Sequence, residues 1–199
     1  MRTSARSSAS SIARNPITPS DLHVRPATPG DLPAIQSIYA HHVLSGLASF
    51  EEIPPDIDEI RRRFDEVSSR GLPYLAADMG GSVVGYGYCN LFRARSAYRF
   101  VLEDSIYVKD GLFGKGIGTA LLSLLIQRCT ELGYRQLIAV IGDSGNAGSI
   151  NLHASLGFLR SGTLRSTGFK FGRWVDTVTM QRPLGDGDGT LPDADPLEA

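Results

Sequence analysis

Apolar residues recur at helical spacing early in the chain, at Leu32, Ile35, Tyr39 and Val43. Thr28-Pro29-Gly30-Asp31 supplies the start such a helix needs: a capping threonine, a proline in the first turn and an acid placed to reach back. The pattern repeats at Ile60, Phe64 and Val67, opened by Asp56 with Glu59 and closed by Gly71. Between and after these helices the pattern predicts strands: 23–25, a hairpin of 74–77 and 83–91 about Gly80-Gly81, and a long strand over 100–108. Ile117, Leu121, Leu124, Leu125 and Leu132 then return to helical spacing, 136–141 is an uninterrupted apolar strand, 147–156 a helix, and 158–163 and 174–182 the last strands. This alternation predicts an α/β (α+β) domain, a mixed sheet with helices on its faces.

Both ends fall outside the pattern. Residues 1–22 are rich in Ser and Arg and contain one acid near their end, a composition shared by transit peptides and disordered tails; their weak amphipathic order favours a disordered extension. Residues 185–199 hold mostly Gly, Asp and Pro, which predicts an acidic solvated tail. The folded domain is then residues 23–184, and no internal repeat is visible. A chain of 199 residues with 20 Lys plus Arg against 21 Asp plus Glu has no basic field to hold nucleic acid. No apolar run approaches the roughly 18 residues of a membrane span. Cys89 and Cys129 lie in apolar patterns without metal-ligand or C-x-x-C spacing, which predicts reduced thiols, a cytoplasmic protein and no metal site.

Chemistry enters at residues 108–133, where strand gives way to Gly111, Gly114, Gly116 and Gly118 and then to helix. Backbone N–H groups at a helix start are unpaired, the helix dipole favours negative charge there, and glycine lets the backbone approach an anion; a phosphate fits such a place. A flexible turn entering a helix is the plain alternative. No Gly-Lys-Ser/Thr follows, so this is not a Walker loop, and the spacing and late position differ from a dinucleotide fingerprint.

The loop does not stand alone. Glu103-Asp104-Ser105-Ile106-Tyr107-Val108, Gly116-Ile117-Gly118, Ala139-Val140-Ile141-Gly142, Asn146 to His153 and Leu156-Gly157-Phe158 occur in order. Together they resemble the GNAT superfamily of acetyl-CoA-dependent N-acetyltransferases, and within it the phosphinothricin and methionine sulfoximine N-acetyltransferase group, over about residues 23–182. The resemblance implies the GNAT fold, with a mostly antiparallel central sheet and helices on both faces. One residue departs: Phe113 stands where the superfamily loop carries Gln or Arg. Backbone amides can still hold a pyrophosphate without that side chain.

The resemblance implies that the cofactor segment Gly114, Lys115, Gly116, Ile117, Gly118 and Thr119 cradles the pyrophosphate of acetyl-CoA. It also implies that Ile106, Tyr107 and Val108 run along the pantetheine arm as an added strand would, with the N–H of Val108 polarising the thioester carbonyl. Asn146 either reaches the cofactor or caps the next helix. Acetyl transfer needs a neutral amine, and Glu103, which matches the glutamate of the family's E-x-S/T-V-Y-V pattern, is the implied base. Asp104 should face the other way and serves only if a bulge shifts the register. His153 occupies the place of a family tyrosine that protonates the leaving thiolate; a structural histidine is the competing reading. For the acceptor, Arg93 and Arg95 suit a carboxylate or phosphinate, with Tyr98 beside them and Phe50 as a pocket wall. Trp174, in a segment resembling the family's late hairpin, belongs to core or interface, and the resemblance implies a homodimer. The expected function is acetyl transfer to a small amino-acid-like amine. Acetylation of a protein N-terminus or ribosomal protein, or a non-catalytic acyl-CoA-binding module, are the alternatives.

Overall fold

The computed structural model describes residues 22–192 and 194–196; the proposed N-terminal extension, apart from Leu22, lies outside them. The elements run β1 (Leu22–Pro26), α1 (Leu32–Ser45), α2 (Ile57–Ser69), β2 (Tyr74–Met79), β3 (Ser82–Leu91), β4 (Val101–Val108), α3 (Ile117–Glu131), β5 (Gln136–Gly142), α4 (Ala147–Ser155), β6 (Leu159–Lys170) and β7 (Arg173–Pro183). The strands form one sheet in the order β1-β2-β3-β4-β5-β7-β6. Each neighbouring pair is antiparallel except β4 and β5.

The early helices begin where their caps predict. Asp31 reaches back to the Thr28 N–H (2.7 Å) and hydroxyl (2.9 Å), and the Asp56 side chain accepts from the Glu59 N–H. Leu32, Ile35, Tyr39 and Val43 on α1 and Ile60, Phe64 and Val67 on α2 are buried. Asp31 also takes two 2.8 Å hydrogen bonds from Arg25, tying α1 to the edge strand. These contacts hold the Asp31 carboxyl down to about 2. A carboxylate with a depressed folded-state pKa stabilises the fold above its unfolded pKa, and the gain disappears as pH falls through the folded value. Denaturation of Asp31→Asn at neutral pH should show a loss of about 2 kcal/mol, and the gap from wild type should close near pH 2.

The stretch Gly85-Tyr86-Gly87-Tyr88-Cys89 explains how β3 serves two layers. A Cβ on Gly85 would meet Ile117 at 3.0 Å and Leu121 at 3.3 Å, and one on Gly87 would meet Leu125 at 3.2 Å, so α3 lies directly on the backbone of β3. On the opposite face Tyr74, Tyr86, Tyr88 and Tyr107 stack with near-parallel rings, covered by Tyr39 of α1 and Phe64 of α2. Helices α1 and α2 therefore cover one face, and α3 the other.

Three expectations need correction. Leu132 is 41% exposed, and Leu122 and Cys129 take the inner positions of α3 instead. Strand β6 runs on to Lys170, well past residue 163. The stretch 185–196, where described, is not free: Arg135 donates to the Thr190 and Leu191 carbonyls (3.0 and 3.1 Å), and Arg99 pairs with Asp195 at 2.9 Å. The backbone carbonyls there supply partners that a composition argument does not see.

Candidate active site

Strands β4 and β5 pair only from Val101↔Gln136 to Asp104↔Ala139, although β4 runs on to Val108 and β5 to Gly142. Beyond that point they part, while β5 stays paired with β7 on its other edge along its whole length. The Lys109 N–H bonds back to Val84 on β3, so by the alternation of a strand the N–H groups of Ile106 and Val108 point the other way, into the fork. A narrow cavity of about 50 Å³ lies there, lined among others by Ala48, Asp104, Ile106, Asn146 and His153.

The glycine loop follows the free end of β4 and leads into α3. Gly114 and Gly116 have φ of +74° and +81°, left-handed values that disfavour other residues, and a Cβ on either would meet nothing within 4 Å. Gly116 is the N-cap of α3 and offers no side-chain cap, so the first N–H groups of the helix, through Thr119, are available to an anion. Lys115 is exposed beside them, Phe113 is 59% exposed, and Ile117 is buried as the first core contact of the helix. Gly118 has a different reason: a Cβ there would touch Leu152 of α4 at 3.0 Å.

Glu103 and Asp104 fall on opposite faces of β4. Register with β3 is continuous from Leu91↔Leu102 to Gly85↔Val108, so no bulge brings Asp104 round to the Glu103 side. Glu103 shares the tyrosine face with Ser105 and Tyr107. Burial pushes its carboxyl up from the usual range, the nearby Arg93 guanidinium draws it down in part, and Asp104 pushes it further up. A half-buried carboxylate whose pKa is moved toward neutrality suits a general base.

His153 is 3% exposed. Its Nδ1 lies 2.7 Å from the Ser149 carbonyl and its Nε2 3.0 Å from Asp104 Oδ2, so both nitrogens face acceptors. Burial alone would lower its pKa; the hydrogen bond and charge of Asp104 outweigh it and raise it. The acid role expected of His153 thus has no free N–H to work with. Asn146 accepts from the Ser149 N–H as a cap and also lines the cavity.

The acceptor residues separate. The Arg93 guanidinium lies 4.3 Å over the Phe92 ring and acts on Glu103, and Phe92 in turn meets Tyr98 edge-on at 5.8 Å. Arg95 is exposed and caps a short turn over Ser96–Tyr98. Phe50 lies between the end of β5 and the β6 hairpin: a Cβ on Gly142, which lines the cavity, would meet its ring at 3.1 Å, and one on Gly168 would collide with it at 2.5 Å.

Sequence reasoning missed a polar group on this side. Tyr39 donates to Glu51 at 2.8 Å, Glu51 pairs with Arg63 at 2.7 Å, and Ser49 joins Tyr39 by its hydroxyl and the buried Lys170 by its carbonyl at 2.7 Å. Desolvation pushes the Tyr39 phenol up to about 12, so it stays protonated as a donor. These contacts strap the 46–55 loop over the face that carries Glu103. Only the alternating Gly and Tyr of β3 hinted at a specialised face.

The β4/β5 pair parts to leave backbone amides open, a glycine turn leaves free N–H groups at the start of α3, and Glu103 carries a raised carboxyl on β4. The chain matches the acetyltransferase (GNAT) domain over residues 24–179 and belongs to that family. It is 56% identical over 170 residues to a phosphinothricin N-acetyltransferase of Alcaligenes faecalis, covering 85% of this chain and 86% of that one. It is 41% identical over 162 residues to an L-methionine sulfoximine/L-methionine sulfone acetyltransferase of Pseudomonas aeruginosa, covering 81% and 94%. Among solved structures, a phosphinothricin acetyltransferase from Sinorhizobium meliloti in complex with acetyl-CoA matches with a TM-score of 0.84 at 50% identity, over 86% of this chain and 93% of that one. The protein is an acetyl-CoA-dependent acetyltransferase of mixed, mostly antiparallel α/β fold.

Proposed function

We propose that this enzyme acetylates the amino group of a small amino-acid-like acceptor of the phosphinothricin or methionine sulfoximine kind, by direct attack within a ternary complex. The observation that carries the reading is the fork itself, which opens at Asp104 next to Glu103 and exposes backbone N–H groups toward an incoming thioester. Glu103 accepts the ammonium proton, the amine nitrogen forms the new C–N bond, and the C–S bond breaks to release coenzyme A. The loop from Gly114 to Thr119 holds the pyrophosphate, and Ile106, Tyr107 and Val108 flank the arm.

The carbonyl is polarised by Ile106 rather than Val108. Val108 lies about 17 Å along an extended strand from Glu103, and Ile106 about 10 Å. A base must reach the amine directly or through one water, so the reacting carbonyl belongs near the fork. The Val108 end is instead fixed by His42, whose Nε2 lies 2.9 Å from its carbonyl oxygen.

Arg93 holds the acid group of the acceptor while its ammonium faces Glu103. Arg93→Ala should raise the acceptor KM at least tenfold with little change in the acetyl-CoA KM, and Arg93→Lys should restore part of it. Arg95→Ala should have the smaller effect. Wild-type kinetics for Arg93→Ala would assign recognition elsewhere.

The exposed cluster of Phe169 (58%), Phe171 (57%) and Trp174 (67%) on the β6–β7 hairpin supports a homodimer with this surface at its interface. No described helix is long and apolar enough to cross a membrane. The unlinked, buried Cys89 and Cys129 support a cytoplasmic location.

A further inference from the structure

The loop over 46–55 contains no helix or strand and is held by side chains from three elements. Gln36 of α1 donates to the Pro55 carbonyl at 3.1 Å, and Arg63 of α2 pairs with Glu51 at 2.7 Å. The third anchor comes from 121 residues away: Lys170, at the end of β6, donates to the Ser49 carbonyl at 2.7 Å. Lys170 is 1% exposed. Burial lowers its pKa, against the pull of Glu52 and Glu51. Its ammonium meets a neutral carbonyl and, 5.0 Å away, the Phe171 ring. Burying a charge in this way is costly, and an apolar side chain would fill the same space without that cost.

Ser49 joins this anchor to the Glu103 side of the sheet. Its hydroxyl lies 2.8 Å from that of Tyr39 and accepts from the Glu51 N–H at 3.2 Å. Tyr39 donates to Glu51 and packs edge-on against Tyr107, which shares the face of Glu103. Arg63, Glu103 and Glu51 all act on the Tyr88 phenol, so the Glu51–Arg63 pair borders the space in front of Glu103. Ala48, next to Ser49, lines the fork cavity. The loop therefore stands where acceptor and thioester meet.

We propose that Lys170 is a positioning residue for the acceptor: through the Ser49 carbonyl it sets the place of Tyr39 and Glu51 opposite Glu103, and with them the shape of the site the amine enters. This rests on the reading that a small amine is acetylated on the Glu103 face. Lys170 acts only through the loop. The phosphate end of the donor belongs to a different element, the start of α3, so the two substrates should respond differently.

Lys170→Met keeps an apolar stem of similar length and removes the donor. Acceptor kcat/KM should fall about tenfold, mainly through KM, while the calorimetric affinity for coenzyme A stays within about twofold of wild type. Lys170→Gln, which keeps an N–H donor on a shorter stem, should fall between the two and serves alone if the methionine variant does not fold. Tyr39→Phe breaks the same chain of contacts one step further on. In that background Lys170→Met should cost no more than about twofold again, because residues in one network are not additive. Full additivity would overturn the proposal. So would an unchanged acceptor KM in a folded Lys170 variant, or an equal loss of coenzyme A affinity, the mark of a general structural role.

Hydrogen exchange of the amides of residues 47–53 separates this proposal from the reading beneath it. Faster exchange there in Lys170→Met, with α3 unchanged, is the expected result, and unchanged exchange rejects the anchor by itself. If wild type acetylates neither phosphinothricin nor methionine sulfoximine, the acceptor reading fails and takes the positioning role with it, whatever the exchange shows of the anchor.

Discussion

Glu103→Gln should lower kcat by about 10² to 10⁴, the usual contribution of general-base catalysis, with acetyl-CoA affinity almost unchanged. Glutamine keeps the size and the hydrogen bonding of the side chain but cannot take the ammonium proton. The base works ionised, so activity is present above its pKa and is lost as pH falls through it. Because burial raises that pKa, the acidic limb of the kcat/KM profile should lie above the range of an ordinary glutamate. Removing Arg93 removes a charge that lowers the Glu103 pKa and should move the limb further up. In Glu103→Gln that limb should vanish, and raising the pH should recover part of the rate as solvent deprotonates the amine. An unchanged kcat with chemistry as the slow step would take Glu103 out of the mechanism.

Gly116→Glu should lower affinity for acetyl-CoA by two orders of magnitude or more while the fold survives. A Cβ at this position meets nothing, so the substitution is not blocked by packing. Its φ of +81° adds strain of about 1–2 kcal/mol, which Gly116→Ala isolates. The glutamate adds a negative charge at the helix start where the pyrophosphate should lie, opposing the helix dipole and the backbone approach together. Calorimetry should show a modest loss for alanine and a collapse for glutamate. Unchanged binding of coenzyme A by a folded Gly116→Glu protein would remove the loop from the cofactor site.

Where a single physical cause acts locally, the sequence was readable. Caps at Thr28 and Asp56 and the spacing of Leu32, Ile35, Tyr39 and Val43 placed α1 and α2, and each of those apolar residues is buried. Period-two alternation put Glu103 and Asp104 on opposite faces, as the continuous β3–β4 register has them. The far half of β6 was invisible for a related reason: it is an edge strand with two register shifts and little one-sided burial, so its side chains show no alternation to detect.

Longer-range facts were out of reach. That β4 and β5 part after Ala139 while β5 stays paired with β7 depends on strands some 40 residues apart in sequence, and this parting makes the fork. The commitment of His153 to Asp104 depends on packing α4 against β4. A family pattern could suggest a histidine acid, but only the partner atoms reveal that both ring nitrogens are occupied. Likewise, Lys170 and Ser49 are joined by a backbone carbonyl, a partner no residue pattern encodes.

The account's central claim is acetyl transfer to a free amino-acid-like amine. The most direct measurement supplies the purified protein with acetyl-CoA and either phosphinothricin or methionine sulfoximine, and follows thiol release together with the mass of the acceptor. One N-acetylated acceptor per thiol, with intersecting initial-rate lines as both substrates vary, is the predicted result. Thiol release only with peptide or ribosomal-protein N-termini, or binding of acetyl-CoA with no transfer to any amine, would contradict it.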